Sequence, residues 1–406
     1  MTIAAQDNLI IENKVNSPYS MYMTGDITPG QFAPGRAMGG TSVGLRIPNR
    51  INIINPASYT AQDTLSFIFD MGFEGDYINL SNETETQGTQ NFNISHISAG
   101  FKANKYWAGG VGLMPYSKTG YNIILNPTIN EVSLKSIKKG VGDLNRLYAG
   151  SAFNLIPSLS IGINFSYIFG DLSKSLHTYF PEFDSVSQDY YKTEKIFTNG
   201  FMWDFGIQYT YQKEKNKITV GAIYQPETEL QAENHINHYY LLPNYTSVIL
   251  QSDTINVKTT IPSKIGFGIS YTLDDRFTFA FDYKTQDWSN SVIFGNKDSV
   301  SVSNDFNFGL QIIPNTKTKD FLKRLNYRAG GFYQTTPIKI GDEHIKNYGV
   351  TMGLGIPYKN TNTMFNIACE IGKRGNLTGN IIQENYIKVI FDISFFDYWF
   401  YKPKID

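Results

Sequence analysis

The feature that most limits what this chain can become is an alternation of oily and polar residues, sustained for about ten residues at a time. Leu159, Ile161, Ile163, Phe165, Tyr167 and Phe169 are interleaved with Ser160, Gly162, Asn164, Ser166, Ile168 and Gly170. Ile265, Phe267, Ile269 and Tyr271 behave alike, as do Phe277, Phe279, Phe281 and Tyr283, and Ile387, Val389, Phe391, Ile393 and Phe395. Period two is the strand period, so one face is oily while the other carries Gly, Ser, Thr, Asn and Asp. Strands of soluble sandwiches are usually only about 5–6 residues long. The greater length is what a tilted strand needs to cross a bilayer.

Such segments recur at 64–80, 91–103, 106–117, 144–155, 158–170, 195–213, 216–230, 254–273, 276–288, 301–313, 325–336, 343–357, 363–373 and 384–397. The expectation is an all-β fold, a transmembrane antiparallel β-barrel of about 14 strands. Tight connections carry turn residues: Ala103-Asn104-Lys105, Ile156-Pro157-Ser158, Glu214-Lys215-Asn216, Leu273-Asp274-Asp275 and Tyr358-Lys359-Asn360-Thr361. Long polar connections are expected between them at 118–143, 171–194 and 231–253. Short turns on one side and long outer loops on the other are the bacterial pattern, and an even count puts both termini in the periplasm. The connection at 314–324 is long on the short-turn side; Phe321, Leu322 and Leu325 stand at helical spacing for a brief helix.

Bulk properties narrow the alternatives. A soluble chain of 406 residues would usually divide into several domains, one large barrel being the main exception. Net charge of −1 gives no electrostatic reason to expect nucleic acid. With Cys369 as the one cysteine, neither an intrachain disulfide nor a thiolate metal cluster can form. There is no run of about 18 apolar residues, so no spanning helix, which says nothing against a barrel. Ala4-Ala5 before Gln6 is expected to be the remnant of a cleaved leader.

Residues 1–63 lack sustained alternation and are rich in Gly, Pro and Asn, yet hold Tyr19, Tyr22, Phe32, Ile51, Ile53 and Ile54. Fourteen strands enclose more space than their own side chains fill. The expected division is therefore a plug, or hatch, at 1–63 and the barrel at 64–406. Gly39-Gly40 and Asn55-Pro56-Ala57 are assigned to that plug, where Gly and Pro set turns under close packing.

The run Gly35-Arg36-Ala37-Met38-Gly39-Gly40-Thr41-Ser42-Val43-Gly44, followed by Asn55-Pro56-Ala57-Ser58, resembles the plug of the FadL-type outer-membrane transporters. Asn16-Ser17-Pro18-Tyr19-Ser20, Gly142-Asp143-Leu144-Asn145-Arg146, Gly353-Leu354-Gly355-Ile356-Pro357, Gly372-Lys373-Arg374-Gly375 and Trp399-Phe400-Tyr401-Lys402 resemble the Bacteroidota branch. The likeness spans the chain and rests on order and spacing together. It implies a fourteen-stranded Gram-negative outer-membrane barrel with an N-terminal hatch, taking up hydrophobic molecules such as long-chain fatty acids. Asn-Pro-Ala-Ser stands where other branches often continue with Gly, and no basic pocket for a carboxylate is evident.

The third strand reads Trp107-Ala108-Gly109-Gly110-Val111-Gly112-Leu113-Met114-Pro115-Tyr116. Proline withholds a ladder donor and glycine permits a kink. In the resembled family this strand carries the inward kink of a lateral opening, so Gly109, Gly110, Gly112 and Pro115 are the expected gate. Alternatively the glycines merely let the plug pack against the wall. Two outer segments are unexpectedly oily: Leu176, Tyr179, Phe180 and Phe183, and Tyr239, Tyr240, Leu241 and Leu242. Their positions match the capture site in the resembled family, and they are expected to capture a ligand, pack together or dock a protein.

Gly40-Thr41-Ser42-Val43-Gly44 fits a hydrolase elbow, but the required α/β context and an ordered triad are missing, so no enzyme is expected. His235 and His238 lack further ligands nearby in sequence, and neither metal nor cofactor is expected. Inward Asp204, Asp282, Lys284, Glu370 and Lys388 are expected to form internal ion pairs. The expected function is outer-membrane passage of a hydrophobic small molecule: capture, transit past the plug, and lateral release near strand three. The expected partners are outer-membrane lipid and lipopolysaccharide, together with other outer-membrane proteins. The alternative is a non-transporting barrel subunit of a larger secretion or assembly complex.

Overall fold

Each sustained alternation becomes a wall strand. A computed structural model describes residues 17–83, 85–129, 132–180, 189–241, 247–296, 300–314, 320–358, 362–377 and 381–399. The wall strands are β1 (Ser66–Ser81), β2 (Thr86–Lys102), β3 (Trp107–Leu125), β4 (Lys135–Ile156), β5 (Leu159–Tyr179) and β6 (Asp189–Lys213). β7 runs Asn216–Gln225 and, past Pro226-Glu227, Thr228–Leu241; β8 runs Ser247–Ile261 and, past Pro262-Ser263, Lys264–Leu273. β9 (Phe277–Asp287), β10 (Val302–Ile312), β11 (Asn326–Ile340), β12 (Glu343–Pro357), β13 (Met364–Arg374) and β14 (Gln383–Tyr398) complete the ring. Chain neighbours pair antiparallel, and β14 closes on β1 from Gln383↔Ser81 to Tyr398↔Ser66. Fourteen strands in a closed ring agree with the count read from alternation.

Alternation decides which side faces out. On β9, Phe277, Phe279 and Phe281 are exposed outward while Thr278, Ala280, Asp282, Lys284 and Gln286 are buried inward. Phe201, Trp203, Phe205, Ile207 and Tyr209 continue the exposed belt on β6. A belt this oily, on backbone whose hydrogen bonds are satisfied within the ring, suits a lipid surroundings.

Much of the segments expected to be long loops is instead strand. β3 reaches Leu125, β4 starts at Lys135, β5 reaches Tyr179 and β6 starts at Asp189. β7 and β8 likewise extend to Leu241 and from Ser247. The ladders continue past the length needed for a bilayer, where no lipid imposes alternation, so polar sequence pairs as well as oily sequence. On the opposite rim the turns are tight, with Glu214, Asp274 and Asp275 at positive φ. The brief helix α2 (Phe321–Arg324) lies where helical spacing placed it, with Leu325 as its C-cap.

Among the described residues, 17–63 carry only short elements: 3-10 turns at Pro18–Met21 and Pro56–Ala61, a two-residue strand Asp26–Ile27, and helix α1 (Ala33–Arg36). α1 packs on β12, β13 and β14, whereas Pro56–Ala61 packs on β2 through β6. Gly44 abuts Gly268 of β8, and Val43 abuts Gly221 of β7. Gly39, at φ +68°, lies against β10 and β11; a Cβ there would stand 2.3 Å from the Phe308 carbonyl oxygen. The described part of this segment thus makes contacts with strands all round the ring.

Candidate functional site

The ring is stitched unevenly. β2 and β3 pair only from Ile97↔Leu113 to Lys102↔Ala108, although β2 begins at Thr86 and β3 continues to Leu125. Beyond Leu113 the edge of β3 is taken by the N-terminal segment: Asp26 pairs with Lys118 and Ile27 with Ser117. Thr28 reinforces this, its N–H donating to Tyr116 O at 2.9 Å and its hydroxyl to Pro115 O at 2.6 Å. On the other edge of β3 the register with β4 shifts between Pro115 and Ser117. The wall therefore parts where proline interrupts the ladder.

Pro115 marks the start of the parting. Gly109, Gly110 and Gly112 lie just below it, opposite Phe101, Gly100 and Ser98 on β2. A Cβ on Gly112 would come 2.5 Å from Ser98 Oγ and 2.7 Å from Tyr148 Cε1. Tyr148 and Tyr59 are fully enclosed there, Tyr59 donating to Asn164 Oδ1 at 2.8 Å.

A cavity of about 300 Å³ opens behind the parting. Met114, Pro115 and Tyr116 form its border on β3, and Met202, Ile223 and Trp288 supply further apolar lining. The same space is charged. Arg36 pairs with Glu370 at 2.7 Å, Arg374 with Asp26 at 2.8 Å, and Arg146 with Asp204. Lys264 and Lys284 also line it, and neither ammonium has a hydrogen bond or ion pair among the described residues. Gln225 Nε2 beside them is a buried donor with no hydrogen bond among the described residues. Arg36, Arg146, Lys264, Lys284, Arg374 and Lys388 thus share this space with the carboxylates of Asp26, Asp204, Asp305 and Glu370. Lys264 and Lys284 come from neighbouring strands, Lys284 opposite Gly266 and Lys264 opposite Gln286.

The expected internal pairs hold in part. Glu370 and Asp204 are paired as above, whereas Asp282 receives the backbone N–H groups of Ser42, Val43 and Gly44 at 2.5, 2.7 and 3.2 Å. Lys388 lies 4.9 Å from the Tyr386 ring centroid. Ser42 therefore serves a turn, and among the described residues no histidine bonds to it. Asn55 caps the Pro56–Ala61 turn by accepting from Ala57 N and donates to Val43 O at 2.8 Å. Gly40 adopts φ +85° and Gly39 N–H donates to Thr351 Oγ1 at 2.8 Å. Arg46 reaches Ala57 O, Gln208 and Thr60, and burial lowers its guanidinium to about 10, still charged at neutral pH.

The expected capture residues lie mainly on strands. Leu176 and Tyr179 are on β5, Tyr239, Tyr240 and Leu241 end the upper part of β7, and Phe180 follows β5. Phe183 and Leu242 lie outside the described residues. β6 runs between the two groups and links them into one sheet: Tyr191 packs on Tyr239 and Tyr190 on Tyr240. His235 contacts Glu233 and Thr254, while His238 contacts Tyr190, so the two histidines do not share a ligand point.

Solved structures with this fold include those of toluene transporters and of a FadL homologue. The Ralstonia pickettii toluene transporter TbuX superposes with TM-score 0.63 at 14% identity, covering 90% of this chain and 98% of its own. A Pseudomonas aeruginosa FadL homologue gives 0.65 at 13%, covering 92% and 99%. The P. putida toluene transporter TodX gives 0.63 at 14%, covering 92% and 100%. No curated protein matches the chain. The sequence model of one family, BamG, matches residues 2–406, so the chain belongs to the BamG family.

Proposed function

We propose that this protein is an outer-membrane channel for small, largely apolar molecules with an acidic head, released sideways between β2 and β3. One observation carries the reading: the cavity is bordered by Met114–Tyr116, where β3 leaves β2. A solute there would face the parting in the wall rather than the aqueous lumen. The ammoniums of Lys264 and Lys284, without a hydrogen bond or ion pair among the described residues, supply the counter-charge for a carboxylate, and Met202, Ile223 and Trp288 supply apolar contact. Residues 1–63 act as the plug of a barrel formed by 64–406, and the Tyr- and Leu-rich sheet at the upper ends of β5 to β7 is the capture surface. The resemblance to the FadL type supports this arrangement, with both termini in the periplasm.

A second reading, a non-transporting barrel subunit of a larger outer-membrane assembly, is favoured by how firmly the lumen is occupied. Three N–H groups converge on Asp282 alone, and the cavity wall carries three ion pairs that a greasy solute must pass. Native mass spectrometry of the barrel extracted gently from its own membrane decides between them. A lone barrel with a bound fatty acid supports the channel. A stoichiometric protein partner and no lipid acid overturns it in favour of the subunit.

A further inference from the structure

A second constellation sits away from the cavity, where the first and last wall strands meet. Asp70 on β1, His96 on β2 and Asp392 on β14 all point inward and are 2%, 0% and 0% exposed. One nitrogen of the imidazole and one oxygen of each carboxylate lie within 4.8 Å of one another. His96 Nε2 and Asp70 Oδ1 are 2.8 Å apart.

The remaining polar atoms of the three side chains are already fixed. Ser95 Oγ is 3.0 Å from His96 Nδ1, the Ser394 hydroxyl donates to Asp70 Oδ2, and Ala33 N–H donates to Asp392 Oδ2 at 2.8 Å. Phe32 stacks on the imidazole with ring centroids 3.5 Å apart. Each ligand is thus oriented through its other atom, as the outer partners of metal ligands do. Asp392 Oδ1, by contrast, is buried and makes no hydrogen bond of normal geometry among the described residues, its carboxylate facing the Asn366 side chain.

Charge is the second consideration. Two buried carboxylates side by side are costly unless neutralised. Arg50 is nearby, but its Nη1 is directed to the carbonyl oxygens of Asn49 and Asn362. The Arg50 and Arg328 guanidiniums act on these carboxylates from a distance, whereas a divalent cation would neutralise both at the cluster itself. A void of about 30 Å³, bordered by Asp70, Phe32 and Arg50, adjoins the cluster and has room for one water.

We propose that Asp70, His96 and Asp392 form a divalent-cation site of the zinc class, completed by a water from the adjoining void. One imidazole and two carboxylates is a donor set that zinc accepts. Tetrahedral zinc ligands at roughly 2.0–2.2 Å from the metal stand about 3.3 Å apart, so His96 and Asp70, at 2.8 Å, would separate slightly and Asp392, within 4.8 Å of them, would close in. The cation would bind β1, β2 and β14 together and, through the Asp392–Ala33 hydrogen bond, hold α1 against them.

Cobalt(II) is the probe. The full-length protein is refolded into detergent micelles with cobalt(II), passed over a desalting column, and its metal content and visible absorption are measured. The wild type should retain one equivalent with intense tetrahedral absorption that zinc(II) displaces, and His96→Gln and Asp392→Asn should each lose it. Retention below one-tenth of an equivalent by the wild type, or equal retention by the folded variants, overturns the proposal, the latter as an adventitious ion only. X-ray absorption of the wild-type zinc form needs no variant: one imidazole in the shell is expected, and a shell without imidazole also overturns it.

Discussion

Ile27 of the N-terminal segment stands in register with Ser117 of β3, in the place where a continuous wall would put β2. The wall opens there without leaving the β3 edge bare, because backbone groups that lose β2 are satisfied from inside the ring.

That exchange predicts the effect of Gly25→Val. Gly25 lies at φ +96°, and a Cβ would stand 2.4 Å from Thr119 Oγ1 and 2.6 Å from Lys118 O. The substitution should detach residues 25–28 while leaving the ring closed. Hydrogen exchange should show Ser117–Thr119 losing protection with β9 to β12 unchanged; unchanged exchange at 117–119 would contradict the pairing.

Lys264→Met with Lys284→Met tests the acid-head reading. Oleate binding, followed by quenching of Trp288 with a brominated analogue, should weaken about tenfold, roughly 1.4 kcal/mol. Toluene, lacking a charge, should be affected far less. Equal losses for both ligands would show that the lysines act only on the shape of the cavity.

Asp282→Asn puts an amide group among three N–H donors that now share one carboxylate. Leaving a buried donor unsatisfied costs about 1–3 kcal/mol. The expected consequence is limited proteolysis between residues 40 and 50 at a urea concentration where the wild type resists, with the ring still folded on a gel.

The membrane-facing belt is tested by Phe281→Arg. Phe281 is 45% exposed near the middle of β9, opposite Ile269 and Phe308. Arginine at a bilayer midplane costs about 2–4 kcal/mol in such barrels. Folding titrations into lipid vesicles should show that loss, whereas Asp282 variants should not depend on bilayer thickness. A neutral result for Phe281→Arg would remove this face from the lipid.

Strands were legible because lipid on one side and a polar lumen on the other write a period of two into the sequence, as at Phe277–Tyr283. Their outer ends were not, since residues such as Ser173, Lys174 and Ser175 have no lipid to face and read as loop. The breaks at Pro226 and Pro262 were hidden inside oily runs read as single strands. Lys284 reads in sequence as an inward residue, but its neighbour Lys264 does not, because the two lie twenty positions apart along the chain and meet only through the register of β8 on β9. Asp70, His96 and Asp392 are still more remote, coming together only when the ring closes. Pro115, in contrast, announces its effect locally: a missing donor is visible wherever the residue stands.

Closure by β14 on β1 also dictates an order of events. The last strand to be synthesised carries Asp392, which grips Ala33, a residue made long before it. If the ring closes last, the wall forms around a segment that already touches strands on every side of it. The final zipping of β14 then becomes the step at which contents and container are locked together, and a mutation that delays it would leave an unsealed cylinder rather than an empty one.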